Sequence, residues 1–174
     1  MASVAVGSNA GKGLAVNASS TISSLKVAAN TELKVAQGKV LSGSIEVAAG
    51  KTLKLNGTGT FGSALNLLGT LEAGANLTVS GLISVGGNSA VSIPANTTLT
   101  YTGGDLNVGA YSLSIGGAGT FSNAAGSALV LDVADSILDL SGAGTISGPL
   151  KLESGTLKAS AGTPTISGAL TQYD

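Results

Sequence analysis

The stretch LKVAANTELKV (25–35) returns twenty positions later as IEVAAGKTLKL (45–55). A second block returns as GTGTFGSAL (57–65), GAGTISGPL (142–150) and GTPTISGAL (162–170). Self-similarity at a period of about 20 residues marks a solenoid, in which each repeat buries its apolar side only against its neighbours. Followed outward from these blocks, the repeat occurs eight times and begins a ninth.

Each repeat holds three short apolar windows. The first starts at Val4, Leu25, Ile45, Leu65, Ile83, Leu106, Leu131 and Leu150, with a ninth at Leu170. The second starts at Leu14, Leu33, Leu53, Leu71, Val91, Leu113, Leu138 and Leu157. The third centres on Ile22, Leu41, Phe61, Val79, Tyr101, Phe121, Ile146 and Ile166. Windows one and two read apolar–x–apolar, the period of a strand. Leu53-Lys54-Leu55 shows it cleanly: both leucines point inward and the lysine points out. No stretch holds the i, i+3, i+4, i+7 spacing for the length of a helix. Gly, Asn, Ser and Ala fill the gaps, where the chain must turn.

Three strands and three corners per turn predict an all-β fold. It is a single-stranded triangular parallel β-helix, or β-solenoid, of about eight coils of ~20 residues. Right-handed winding is the default for parallel crossovers. At about 4.8 Å per coil the rod would be roughly 40 Å long. The longest coil, 106–130, is expected to carry its excess at 123–130 as a bulged corner. Residues 1–174 read as one domain, with no linker, charge run or composition break. Hydrophobic residues make up 43% and aromatics 3%, which suits a narrow core of stacked Leu, Val and Ile.

Several classes of function are disfavoured. The net charge of −1 gives no electrostatic footprint for nucleic acid, and none is expected as a partner. Lys26, Lys34 and Lys54 lack interleaved aromatics and read as a solvated surface. No apolar run reaches the ~18 residues of a membrane helix, so no membrane insertion is expected. Residues 1–20 lack the basic start and long apolar stretch of a signal peptide. With no Cys there is no disulfide framework. The chain also lacks His, Arg and Trp, which removes the usual general base, thiolate and guanidinium clamp. No enzyme activity and no cofactor are expected. The one acidic cluster is Asp132, Asp135 and Asp139, with Asp132 and Asp139 expected outward on adjacent faces and Asp135 at the corner between them. It reads as solvated surface, although three such oxygen donors can hold Ca²⁺ weakly and paired carboxylates can serve a glycosidase.

Two features exceed what folding needs. The third window begins with a hydroxyl in nearly every coil: Thr21, Thr60, Thr78, Thr100, Thr120, Thr145 and Thr165, with Val40 as the gap. A second hydroxyl follows two residues later in most coils. Strand propensity and Ser/Thr hydrogen bonds between coils account for such columns. A flat hydroxyl array for ice binding is the functional alternative. The second feature is the ends. Val4-Ala5-Val6 opens the first window, and Leu170-Thr171-Gln172-Tyr173 starts a ninth, with no capping helix, Pro-rich plug or charged cap in view. Open rungs are templates for another chain, and a contact that does not close into a ring gives a filament. Proline at Ala5 or Thr171 is expected to block such stacking. Charge is also uneven: residues 1–54 carry six Lys and two Glu, residues 55–150 five acids and no Lys. Exposed charges so far apart are largely screened, but the asymmetry would favour one head-to-tail register.

GTLEAGANLTVSGLISVGGNSAVSI (69–93) resembles the β-helical passengers of bacterial autotransporter and haemagglutinin-repeat adhesins. That resemblance implies a surface-exposed β-helix with a surface or glycan ligand. TISGPLKLESGTLKA (145–159) is similar to bactofilins, cytoskeletal β-helices that polymerise end to end. The combined expectation is a subunit that assembles with itself head to tail into an extracellular or cell-surface filament, with surface or matrix components as further partners. An adhesin fragment, an ice-binding protein and a cytoplasmic cytoskeletal polymer are the alternatives.

Overall fold

The computed structural model describes residues 13–124, 126–142 and 144–173. Its regular elements are all strands, and they stack in parallel from turn to turn as a β-solenoid of three faces. The second windows form an eight-stranded sheet, one strand per turn. Its strands are β1 (Leu14–Val16), β3 (Thr31–Val35), β5 (Thr52–Gly57), β8 (Thr70–Ala73), β11 (Ser89–Ile93), β14 (Ser112–Gly117), β17 (Ile137–Leu140) and β20 (Thr156–Lys158). The third windows give β6 (Thr60–Phe61), β9 (Leu77–Val79), β12 (Thr98–Tyr101), β15 (Thr120–Asn123), β18 (Thr145–Ser147) and β21 (Thr165–Ile166). The first windows give β7 (Ala64–Leu67), β10 (Ile83–Val85), β13 (Leu106–Asn107), β16 (Leu129–Leu131), β19 (Leu150–Leu152) and β22 (Leu170–Gln172). Two long strands, β2 (Ser20–Val27) and β4 (Val40–Val47), run from the third face into the first without a break. Gly43 sits at the bend of β4 with φ 119, and a Cβ there would collide with the Ile22 carbonyl oxygen. Only glycine lets the two backbones approach so closely.

The alternation of sides is as expected. Leu53, Leu55, Phe61, Leu65 and Leu67 are all buried. Lys54 and Asn66 point outward but are half-buried, not exposed, because outward side chains of adjacent coils flank each other.

The register differs from the sequence alignment at several places, each time by two residues. Leu33 pairs with Leu55 and not Leu53. Val91 pairs with Ile115 and not Leu113. Ile22 lies beside Gly43 while Ser20 meets Leu41. Leu99 takes the place beside Phe121, and Tyr101 meets Asn123. Leu129, not Leu131, is the partner of Leu106 and Leu150. A two-residue slip keeps every side chain on its own face, so a period-two pattern cannot distinguish the registers. The long coil's excess is correspondingly shorter than 123–130. Asn123 ends β15, and Leu129 and Val130 already belong to β16.

Two of these displacements meet at one joint, together with a missing ladder. No ladder joins β10 to β13, which end two different sheets. On the other two faces of the same joint, β11–β14 and β12–β15 are the pairs displaced by two. Elsewhere the first-window N–H bonds the next coil: Leu65 to the Leu82 carbonyl, Leu106 to Ala128, Leu129 to Pro149. Ile83 instead donates to the phenol oxygen of Tyr101, 3.2 Å away inside the core. Ser89 Oγ and Asn123 Oδ1, two buried polar atoms with no partner, belong to these displaced strands.

Tyr101 is fully buried and lies 6.4 Å from Phe121, ring centre to ring centre. Burial pushes its phenol above the ordinary tyrosine range; the Ile83 N–H opposes this and the Asp105 charge adds to it. The folded state therefore holds the proton more tightly than the unfolded chain. This contribution is whole below the ordinary pKa of about 10 and is lost as pH rises through the folded value. Tyr101→Phe should cost about 1–3 kcal/mol by stranding the Ile83 donor. Urea melts from neutral to strongly alkaline pH should also fall less steeply in the variant. An unchanged midpoint and an unchanged pH slope would contradict this role.

Candidate functional site

The third face is built from strands whose outward positions are hydroxyls. Thr60, Thr78, Thr100, Ser122 and Ser147 stand in successive register and form one column. Thr98, Thr120, Thr145 and Thr165 form a second, two residues away along the strands. Six of the seven threonines read from the sequence thus fall into two columns, and Thr98, which the alignment missed, heads the second. Thr21 lies apart, beside Ser42 at 2.9 Å. The expected hydrogen bonds between coils are not made within the two columns. Among the described residues, none of these nine side-chain hydroxyls has a protein partner, and none is among the buried orphans, so all face solvent. The strands β6, β9, β12, β15, β18 and β21 contain no charged residue.

Charge sits on the other two faces and their corners, as ion pairs between coils. Lys26 meets Glu46 at 3.0 Å, Lys54 meets Glu72 at 2.9 Å, Lys151 meets Asp105 at 3.3 Å and Lys158 meets Asp139 at 3.5 Å. The hydrogen bond to Glu72, and then its charge, raise the Lys54 pKa. Such exposed pairs contribute about 0–1 kcal/mol each. Two of the three lysines of the candidate basic patch are therefore partnered by carboxylates. The acidic cluster is not gathered either. Asp132 takes a short hydrogen bond from Asn107, and Asp139 binds Lys158 and the Ser160 N–H. Among the described residues no three carboxylates converge on a point where a metal ion would sit. The corner between β16 and β17 spreads the three acids across two faces, as the coil reading of the sequence expects. A shallow cleft of about 310 Å³ lies where β10 and β13 fail to pair, lined by Leu82, Val85, Asp105, Asn107, Asp132 and Val133.

The C-terminal rung is open among the described residues. The strands β20, β21 and β22 end their ladders with one edge unpaired. Leu170 and Tyr173 are each 52% exposed. Gln172 stands in register with Leu152, an inward slot, as the sequence indicates. Bond directions refine which residues face the edge. Ala169 accepts from Leu150 and Tyr173 donates to Leu152, so odd positions serve the preceding coil. Alternation then turns the backbone groups of Leu170 and Gln172 to the open edge. Proline at Thr171 would break the rung's own ladder, so it is the wrong probe of stacking; position 172 is the right one. Val4, Ala5 and Val6 lie outside the described residues.

No family model, no curated protein and no solved structure matches this chain.

Proposed function

We propose that this chain is a structural subunit that stacks head to tail into a stiff, extracellular filament. The observation that supports the reading is that, among the described residues, β20, β21 and β22 each have one unpaired edge and Leu170 is presented to solvent. An unpaired edge is a template for another strand. At the other end of the described solenoid, β1 and Ser20–Ile22 also have one neighbour each, and Leu14 and Ile22 are only partly buried. Copies related by translation along the axis keep every strand parallel across the junction. That is a heterologous contact, and it does not close. The low charged fraction of 10% and the abundance of small polar residues favour an extracellular setting.

Electron microscopy of the purified chain tests this. Filaments one solenoid wide, with an axial repeat of about 4.8 Å in their diffraction, are expected. A monomer at every concentration up to the solubility limit would refute the proposal.

A further inference from the structure

We infer that the third face binds ice, holding a plane of ordered water against its threonine columns. The first support is the state of the hydroxyls. Every one in the two columns is without a protein partner and open to solvent, so each keeps its donor and acceptors for water. The second is the segregation of charge. The four ion pairs lie on or beside faces one and two, and the third-face strands β6, β9, β12, β15, β18 and β21 have no charged residue. Ammonium and carboxylate groups impose their own hydration shells, which do not fit a water lattice.

The third support is spacing. Ladder pairing sets the columns' vertical interval at about 4.8 Å, and alternate positions along a strand lie about 6.6 Å apart. Oxygen positions on planes of hexagonal ice repeat at nearby intervals in two directions. Threonine supplies an anchoring hydroxyl and a methyl group on a stiff χ1, so little freedom is lost on contact. A saccharide is a poorer fit, because no carboxylate and no aromatic ring projects from these strands to bond or stack on a sugar.

The test compares three proteins by thermal hysteresis and by inhibition of ice recrystallisation: the parent, Thr120→Tyr with Thr145→Tyr, and Lys26→Gln with Glu46→Gln on the first face. The parent and the first-face variant should both hold ice crystals without growth below the melting point. The threonine variant should lose this while keeping the parent's circular dichroism. If the threonine variant misfolds, Thr120→Val with Thr145→Val, which keeps shape and removes two hydroxyls, should lower the hysteresis. An inactive parent overturns the inference. So does activity that survives both threonine variants, or that falls in the first-face variant, or binding to insoluble neutral polysaccharide with no effect on ice.

Discussion

Phe61→Asp should leave the chain unfolded. Phe61 is 1% exposed and stands in register between Leu41 and Val79, so its neighbours above and below are both apolar. An aspartate there would be ionised without a partner, or protonated without full hydrogen bonding. Either state costs several kcal/mol. Loss of the packed ring adds about 3–5 kcal/mol. Domains of this size have about 5–15 kcal/mol in all. A solenoid also has no distant part of the core to compensate, since each coil rests only on its neighbours. Circular dichroism should show loss of the strand signal, and calorimetry no transition. A melt like the parent's would show that Phe61 does not point inward.

Gln172→Pro should abolish filaments and leave a folded, soluble, β-rich monomer. The substituted N–H is one that the bond pattern of β22 turns away from β19, toward the open edge. Proline is tolerated on an edge strand where its nitrogen faces outward, and it cannot donate to a strand laid against it. The extended conformation that proline demands of residue 171 is already present in β22. The ring would also stand in the gap of about 4.8 Å that a following rung must close. Sedimentation and electron microscopy read the outcome. Filaments of unchanged length would place the junction elsewhere and end the head-to-tail reading. Thr171→Pro is the contrasting variant: it should fray β22 from β19 and lower the melting temperature.

The two predictions draw on different amounts of sequence information. Phe61 is legible from the sequence alone, because Thr60-Phe61-Gly62 sits in a repeat whose flanking windows alternate without exception. The edge-facing role of Gln172 is not, since bond direction in a ladder leaves no trace in side-chain pattern. Register was ambiguous for a related reason. Thr98-Leu99-Thr100-Tyr101 offers two apolar residues, each flanked by a hydroxyl, and either could stand beside Phe121. The structure chose Leu99, which put Tyr101 beside Asn123 and moved Thr98 to the head of a column. The hydroxyl face was thus visible as composition, but its division into two columns required the pairing. The corner that separates the acids at 132, 135 and 139 is legible, because Asp132 belongs to the first window and Asp139 to the second. Their partners, Asn107 and Lys158, are not, since those depend on the coils above and below.

The joint between the coil of Ile83–Tyr101 and that of Leu106–Asn123 has a mechanical consequence. Tension along the rod passes from turn to turn through the backbone ladders, in parallel on the three faces. At the joints between the other fully described coils three ladders share the load; here only β11–β14 and β12–β15 do. The Tyr101 phenol satisfies the Ile83 donor, but both residues belong to the same turn, so that bond carries no force across the gap. A pulled rod therefore yields first at this point, parting into an N-terminal and a C-terminal block that each keep their own stacked core. In a chain of stacked copies, this compliant element would recur once per subunit.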